Sequence, residues 1–81
     1  MRVSVLYFAV VRELAGTSRQ ELDLEKGAQL SGLRALLEGR FPQLRSTERV
    51  LRFAVNEEFA SEETVLHDGD IVAVIPPVAG G

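Results

Sequence analysis

An α+β fold, a mixed sheet of about five strands with one main helix on one face, is predicted by three observations in this 81-residue sequence. Two runs, "RVSVLYF" (2–8) and "IVAVI" (71–75), are apolar on both alternating faces, as strands inside a sheet are. Between them only one segment carries a long helical period. The length allows one domain with a single modest core.

Each element follows from its own pattern. The β-branched and aromatic run 2–8 forms the first strand, and "AVVRELAG" (9–16) turns the chain, with Gly16 stopping a short helical turn. "RQELDL" (19–24) sets Leu22 and Leu24 on one face and acids on the other, the second arm of a hairpin. From residue 30 the period changes. Leu30, Leu33, Leu37, Phe41 and Leu44 recur at the spacing of an amphipathic helix, with Arg34, Glu38 and Arg40 left for solvent. Pro42 ends its regular part near Arg40, and Ser31 is the candidate N-cap. Gly32 and Gly39 weaken the helix by about 1 kcal/mol each relative to alanine, which burial of the leucine stripe must offset.

"VLRFAV" (50–55) is the next strand, followed by a turn at "NEE" and short extended pieces around Phe59 and residues 64–66. "HDGD" (67–70) is a tight turn in which Gly69 takes positive φ. If the first and last strands are both central they are neighbours, and the helical segment supplies the crossover of a parallel pair. That layout is the ubiquitin-like β-grasp, over residues 1–75, with a tail of residues 76–81. A ferredoxin-like arrangement would need a second long helix, and the pattern offers none.

Composition narrows the chemistry. Net charge is −3 and the arginines are scattered, whereas nucleic-acid binding draws on a concentrated basic face. No apolar run approaches the roughly 20 residues of a membrane span, and "MRVSVLYF" lacks a signal-peptide pattern, so a cytoplasmic location is expected. The absence of cysteine excludes disulfides, thiolate metal sites and cysteine nucleophiles. His67 is the single histidine, and "DGD" lacks the other ligands of a calcium loop, so no metal site is expected. Glu57, Glu58, Glu62 and Glu63 read as a solvated edge, with steering of a basic partner the alternative.

The terminus "PPVAGG" is the unusual feature. Pro76 and Pro77 lack N–H groups and fix φ, so they stop pairing and project the chain outward. Six residues at about 3.3 Å each reach about 20 Å from the domain. Val78 and Ala79 are small, and Gly80 and Gly81 offer only backbone to a narrow channel. The terminal carboxylate is a poor electrophile until esterified, and glycine leaves its carbonyl open to attack. A frayed glycine-rich end is the bland alternative. One helix cannot cover both sides of a sheet this apolar, so an exposed apolar patch is expected.

"VLYFAVVRELAG", "AVNEE" and "LHDGDIVAVIPPVAGG" together resemble the small subunit of molybdopterin synthase over essentially the whole chain. Gln29 departs from that family's frequent hydroxyl cap before the helix. The resemblance implies a β-grasp whose Gly81 carboxylate is adenylated by a ubiquitin-activating-like adenylyltransferase using ATP and magnesium, with no cofactor bound by the chain itself. Sulfur then replaces AMP to give a thiocarboxylate at Gly81. The resemblance further implies that Pro76, Pro77, Val78, Ala79 and Gly80 thread this end into the large subunit of molybdopterin synthase. There the sulfur passes to cyclic pyranopterin monophosphate during molybdenum cofactor biosynthesis. The catalytic side chains then belong to the large subunit, in an assembly of two small and two large subunits, and Phe8, Phe59 and Ile75 contact it. Arg12 and Glu13 match the family's Arg-Glu pair, read as a local salt bridge or a solvated turn, with a partner contact by Arg12 the alternative. Three alternatives remain open: a related carrier for thiamine or tRNA thiolation, a ubiquitin-like protein modifier, and a binding module with an idle tail.

Overall fold

The computed structural model describes residues 1–44 and 51–76. β1 (Arg2–Tyr7) lies beside β2 (Arg19–Asp23) on one side and β5 (Ile71–Ile75) on the other. Beyond β5 come β3 (Arg52–Val55) and the short β4 (Glu58–Phe59), giving the order β2-β1-β5-β3-β4. Among the described strands only the β1–β5 pair is parallel, as expected for the first and last strands. The crossover between them contains α2 (Leu30–Arg40) and a 3₁₀ turn (Pro42–Leu44). The observed order is the ubiquitin-like β-grasp.

Strand register decides which side chains meet the helix. Val3, Val5 and Tyr7 of β1, Leu22 of β2, Phe53 of β3, and Val72 and Val74 of β5 are all buried. Leu30, Leu33 and Leu37 of α2, then Leu44, close the core from the other side. Tyr7 meets Phe41 edge to face at 6.0 Å, and its Oη donates to Gln20 Oε1 at 2.8 Å. The helix glycines are accommodated because burial of three leucines outweighs their propensity cost.

Two local expectations change. Residues 9–15 form a complete helix, α1 (Ala9–Ala15), rather than a single turn. Burial of Val11 in the common core holds it, and Gly16 stops it at φ 75°. Ser31 does not cap α2. Gln29 occupies the N-cap without a side-chain bond, and the Leu30 and Ser31 N–H groups donate to the carbonyls of Thr64 and Glu62, both at 2.9 Å. The long connection before β5 therefore satisfies orphan donors that a hydroxyl would otherwise serve. Arg34 ties the same connection to the helix through Glu62 while lying over the Phe53 ring.

The turn between β3 and β4 has Asn56 and Glu57 at φ 50° and 72°, the signature of a two-residue type I′ hairpin. Asn56 also fixes the start of β5. Its Oδ1 accepts from the Ile71 N–H at 3.0 Å, and its Nδ2 donates to Asp70 Oδ1 at 2.9 Å. Gly69 takes φ 87° in the preceding turn, as expected. Among the described residues, no helix is long and apolar enough to cross a membrane.

Candidate functional site

The side of the sheet opposite the core is the expected apolar patch. Parity with the buried residues assigns Ser4 and Leu6 of β1, Ile71, Ala73 and Ile75 of β5, Ala54 of β3 and Phe59 of β4 to this open face. Phe8 continues β1 in extended conformation as the N-cap of α1, which keeps it on the same parity. Phe59 is 65% exposed, Phe8 47% and Ile71 41%. Leu6, Phe8, Ile71 and Ala73 line a recess of about 440 Å³ that Asn56 and Glu57 close at the turn.

The three predicted contact residues thus share one surface. Ile75 is half-buried, pairs with Arg52, and directly precedes Pro76. Pro76 therefore leaves the sheet at the edge of the apolar strip rather than across the molecule from it. Pro76 is the last described residue. The roles expected of Pro77, Val78, Ala79, Gly80 and Gly81 fall outside the described residues, as does Val50 at the start of the predicted strand.

Leu6, Ile71 and Ala73 complete the strip and were not among the predicted contacts. Their signal was available: they share parity with Phe8 and Ile75, and two-residue spacing marks them once those positions are placed on a face. Arg12 and Glu13 are exposed on α1, without an ion pair to any described residue, so the solvated reading stands over the salt bridge.

Beyond the strip, β2 borders it with charge that is neutralised within the chain. Ser4 Oγ donates to Glu21 Oε2 at 2.8 Å, and Arg19 reaches Ser4 Oγ at 3.0 Å and Glu21 Oε1 at 3.1 Å. The Ser4 hydroxyl first, then Arg19, holds the Glu21 carboxyl below the usual carboxylate range. Arg2 does the same for Asp23 across 3.1 Å. Among the described residues, no group of three or more His, Asp or Glu side chains is placed to hold a metal ion. The arrangement offers area for docking, with the exit of β5 at Pro76 beside it.

A mixed sheet in this order, crossed by one long helix and continued past its central strand, places the protein in the ubiquitin-like β-grasp class. Within that class, the ThiS family model matches residues 5–81, and the chain belongs to the ThiS family. The molybdopterin synthase sulfur carrier subunit of Mycobacterium tuberculosis is 43% identical over 82 residues, covering 100% of this chain and 99% of that protein. The likeness read from the sequence is borne out. Among solved structures, SAMP1 from Haloferax volcanii matches with a TM-score of 0.84 at 26% identity, covering 100% of both chains. A protein–protein complex of subunits 1 and 2 of the molybdopterin-converting factor from Helicobacter pylori matches with a TM-score of 0.71 at 27% identity, also covering 100% of both chains.

Proposed function

We propose that the chain is the sulfur-carrier subunit of a molybdopterin synthase. A Gly81 carboxylate oxygen attacks the α-phosphorus of ATP on an adenylyltransferase, pyrophosphate leaves, and sulfur from a donor replaces AMP at the acyl carbon. The open face then docks on the large subunit, the tail enters its active site, and the thiocarboxylate sulfur passes to cyclic pyranopterin monophosphate. Phe8, Phe59 and Ile75 supply contact area, joined by Leu6, Ile71 and Ala73. Pro76 and Pro77 set the direction of the tail, and Gly80 lets it thread.

The observation that carries this reading is the continuity of the apolar strip with the stalk root: the strand contributing Ile71, Ala73 and Ile75 to the face is the strand that ends at Pro76. One docking event therefore seats the face and aims the tail. Intact-mass analysis of the protein from its own cells tests the chemistry. The expected result is replacement of one oxygen by sulfur, localised to the last peptide. Formation of molybdopterin when the thiocarboxylated chain meets the large subunit and the pterin precursor tests the pathway. Isopeptide adducts on lysines of other proteins, with no molybdopterin formed, would overturn it.

A further inference from the structure

The apolar strip is charged at its two ends, with opposite signs. Arg2 and Arg19 on the open face each pair with a carboxylate, Asp23 and Glu21. Arg52 does not. Its guanidinium lies 4.8 Å from the centroid of the Phe59 ring, across the diagonal of the β3–β4 pair, and makes no ion pair with any described residue. Its register partner is Ile75, so its backbone lies beside the exit of β5, while its guanidinium leans over Phe59 on β4.

At the other end of the strip, Glu57 closes the recess beside Ile71. It too is exposed and makes no ion pair with any described residue. Its backbone is at φ 72°, where a side chain costs about 1 kcal/mol or more and where type I′ turns favour glycine. Glycine would carry no such strain there, which makes the carboxylate a candidate for a use outside the fold. Four strand steps, about 13 Å, separate the Ile75 and Ile71 ends of the strip, so the backbones that carry the two charges belong to different ends of it.

Apolar contact has no direction. Burial alone discriminates against a reversed pose only through shape, and in that pose the tail would point away from the channel. We propose that Arg52 and Glu57 set the orientation of docking on the large synthase subunit: Arg52 takes a carboxylate beside the channel mouth, and Glu57 takes a cationic side chain at the far end. In the reversed pose each charge meets its like, which is disfavoured. The aromatic support under Arg52 holds the guanidinium at the face before the partner arrives. This inference rests on the carrier reading.

The test is the Kd of the full-length, unloaded chain for the large subunit, measured at low and physiological salt. Arg52→Gln and Glu57→Gln are each expected to weaken binding about fivefold to thirtyfold, mostly at low salt, with Arg52→Lys recovering much of the loss. Exchanging the charges (Arg52→Glu with Glu57→Arg) is expected to weaken binding more than either neutral variant. Glu57→Gly is expected to weaken binding as Glu57→Gln does while raising the thermal midpoint, which separates the charge from the fold. Thermal midpoints of all variants establish that folded protein is compared. Neutral variants within twofold of the parent, with an unchanged salt dependence, overturn the proposal. No binding by the parent chain itself would instead overturn the carrier reading, and the orientation proposal with it.

Discussion

Phe53 and Phe59 are one residue type on opposite sides of the same sheet, and truncating each separates docking from folding. Phe59 is 65% exposed. Taking about 200 Å² for a phenylalanine leaves about 130 Å² to be covered by a partner, worth up to about 3 kcal/mol at 25 cal/mol per Å². Phe59→Ala is therefore expected to raise the Kd for the large subunit by about tenfold to a hundredfold. The loss of stability is smaller, about 1–2 kcal/mol, from the covered third of the ring and the lost stacking with Arg52. Phe53 is 4% exposed, is the register partner of Val74 and belongs to the same core cluster as Leu30 and Leu33. Phe53→Ala is expected to cost about 3–5 kcal/mol, a large fraction of what a domain this size holds. Urea unfolding and titration calorimetry with the large subunit give both numbers for both variants. If folded Phe59→Ala binds within threefold of the parent, the strip is not the docking surface, whatever the tail does.

The remaining expectations concern what holds the face in place. Tyr7 is buried with its phenol pKa raised by burial, so stability is fully present below about pH 10 and lost as pH rises through the folded value; Tyr7→Phe removes that alkaline limb in pH-dependent melting, at a cost of about 1 kcal/mol for the bond to Gln20. Glu21 and Asp23 have lowered folded pKa values, so their contribution is present above the ordinary carboxylate range and disappears as pH falls through the folded values. Combining Glu21→Gln with Asp23→Asn is expected to flatten the acid side of a plot of thermal midpoint against pH. Gly69→Ala meets open space but needs a side chain at φ 87°, and is expected to lower stability by about 1–2 kcal/mol in urea titration.

The parts legible in the sequence were those written as periodicity. Leucines at three-and-four spacing gave α2 and its end before Pro42, and the doubly apolar runs identified the two central strands and their parallel pairing. What stayed hidden depended on contacts between distant segments. Ser31 is a reasonable cap on local chemistry, but the carbonyls of Thr64 and Glu62, more than thirty positions away, reach the helix end first. α1 reads locally as a turn because it is only seven residues long, and its apolar spacing of Val11, Leu14 and Ala15 covers barely one helical turn. Phe8, Phe59 and Ile75 came from resemblance, whereas Leu6, Ile71 and Ala73 required knowing which face the helix leaves uncovered. Glu57 could not be singled out from its acidic neighbours until its backbone angle was known.

Placement of the stalk on β5 solves a mechanical problem that an edge strand would leave open. On the proposed carrier reading, a tail drawn into a channel would pull on its root, and an edge strand would resist with one ladder of backbone bonds. β5 is bonded on both sides, in parallel to β1 and antiparallel to β3. Its core-facing residues Val72 and Val74 are fully buried. Its start is fixed as well, by the Asn56 side chain on the Ile71 N–H and by the Asp70 carbonyl accepting from Ser4. Force on the tail is thus spread over two neighbouring strands and the core before any pairing is lost. The same central position brings the open-face residues of β5 between those of β1 and β3, so the strand that runs into Pro76 also forms the middle of the apolar strip. Moving the stalk to β4, with two residues on the sheet edge, would lose both properties together.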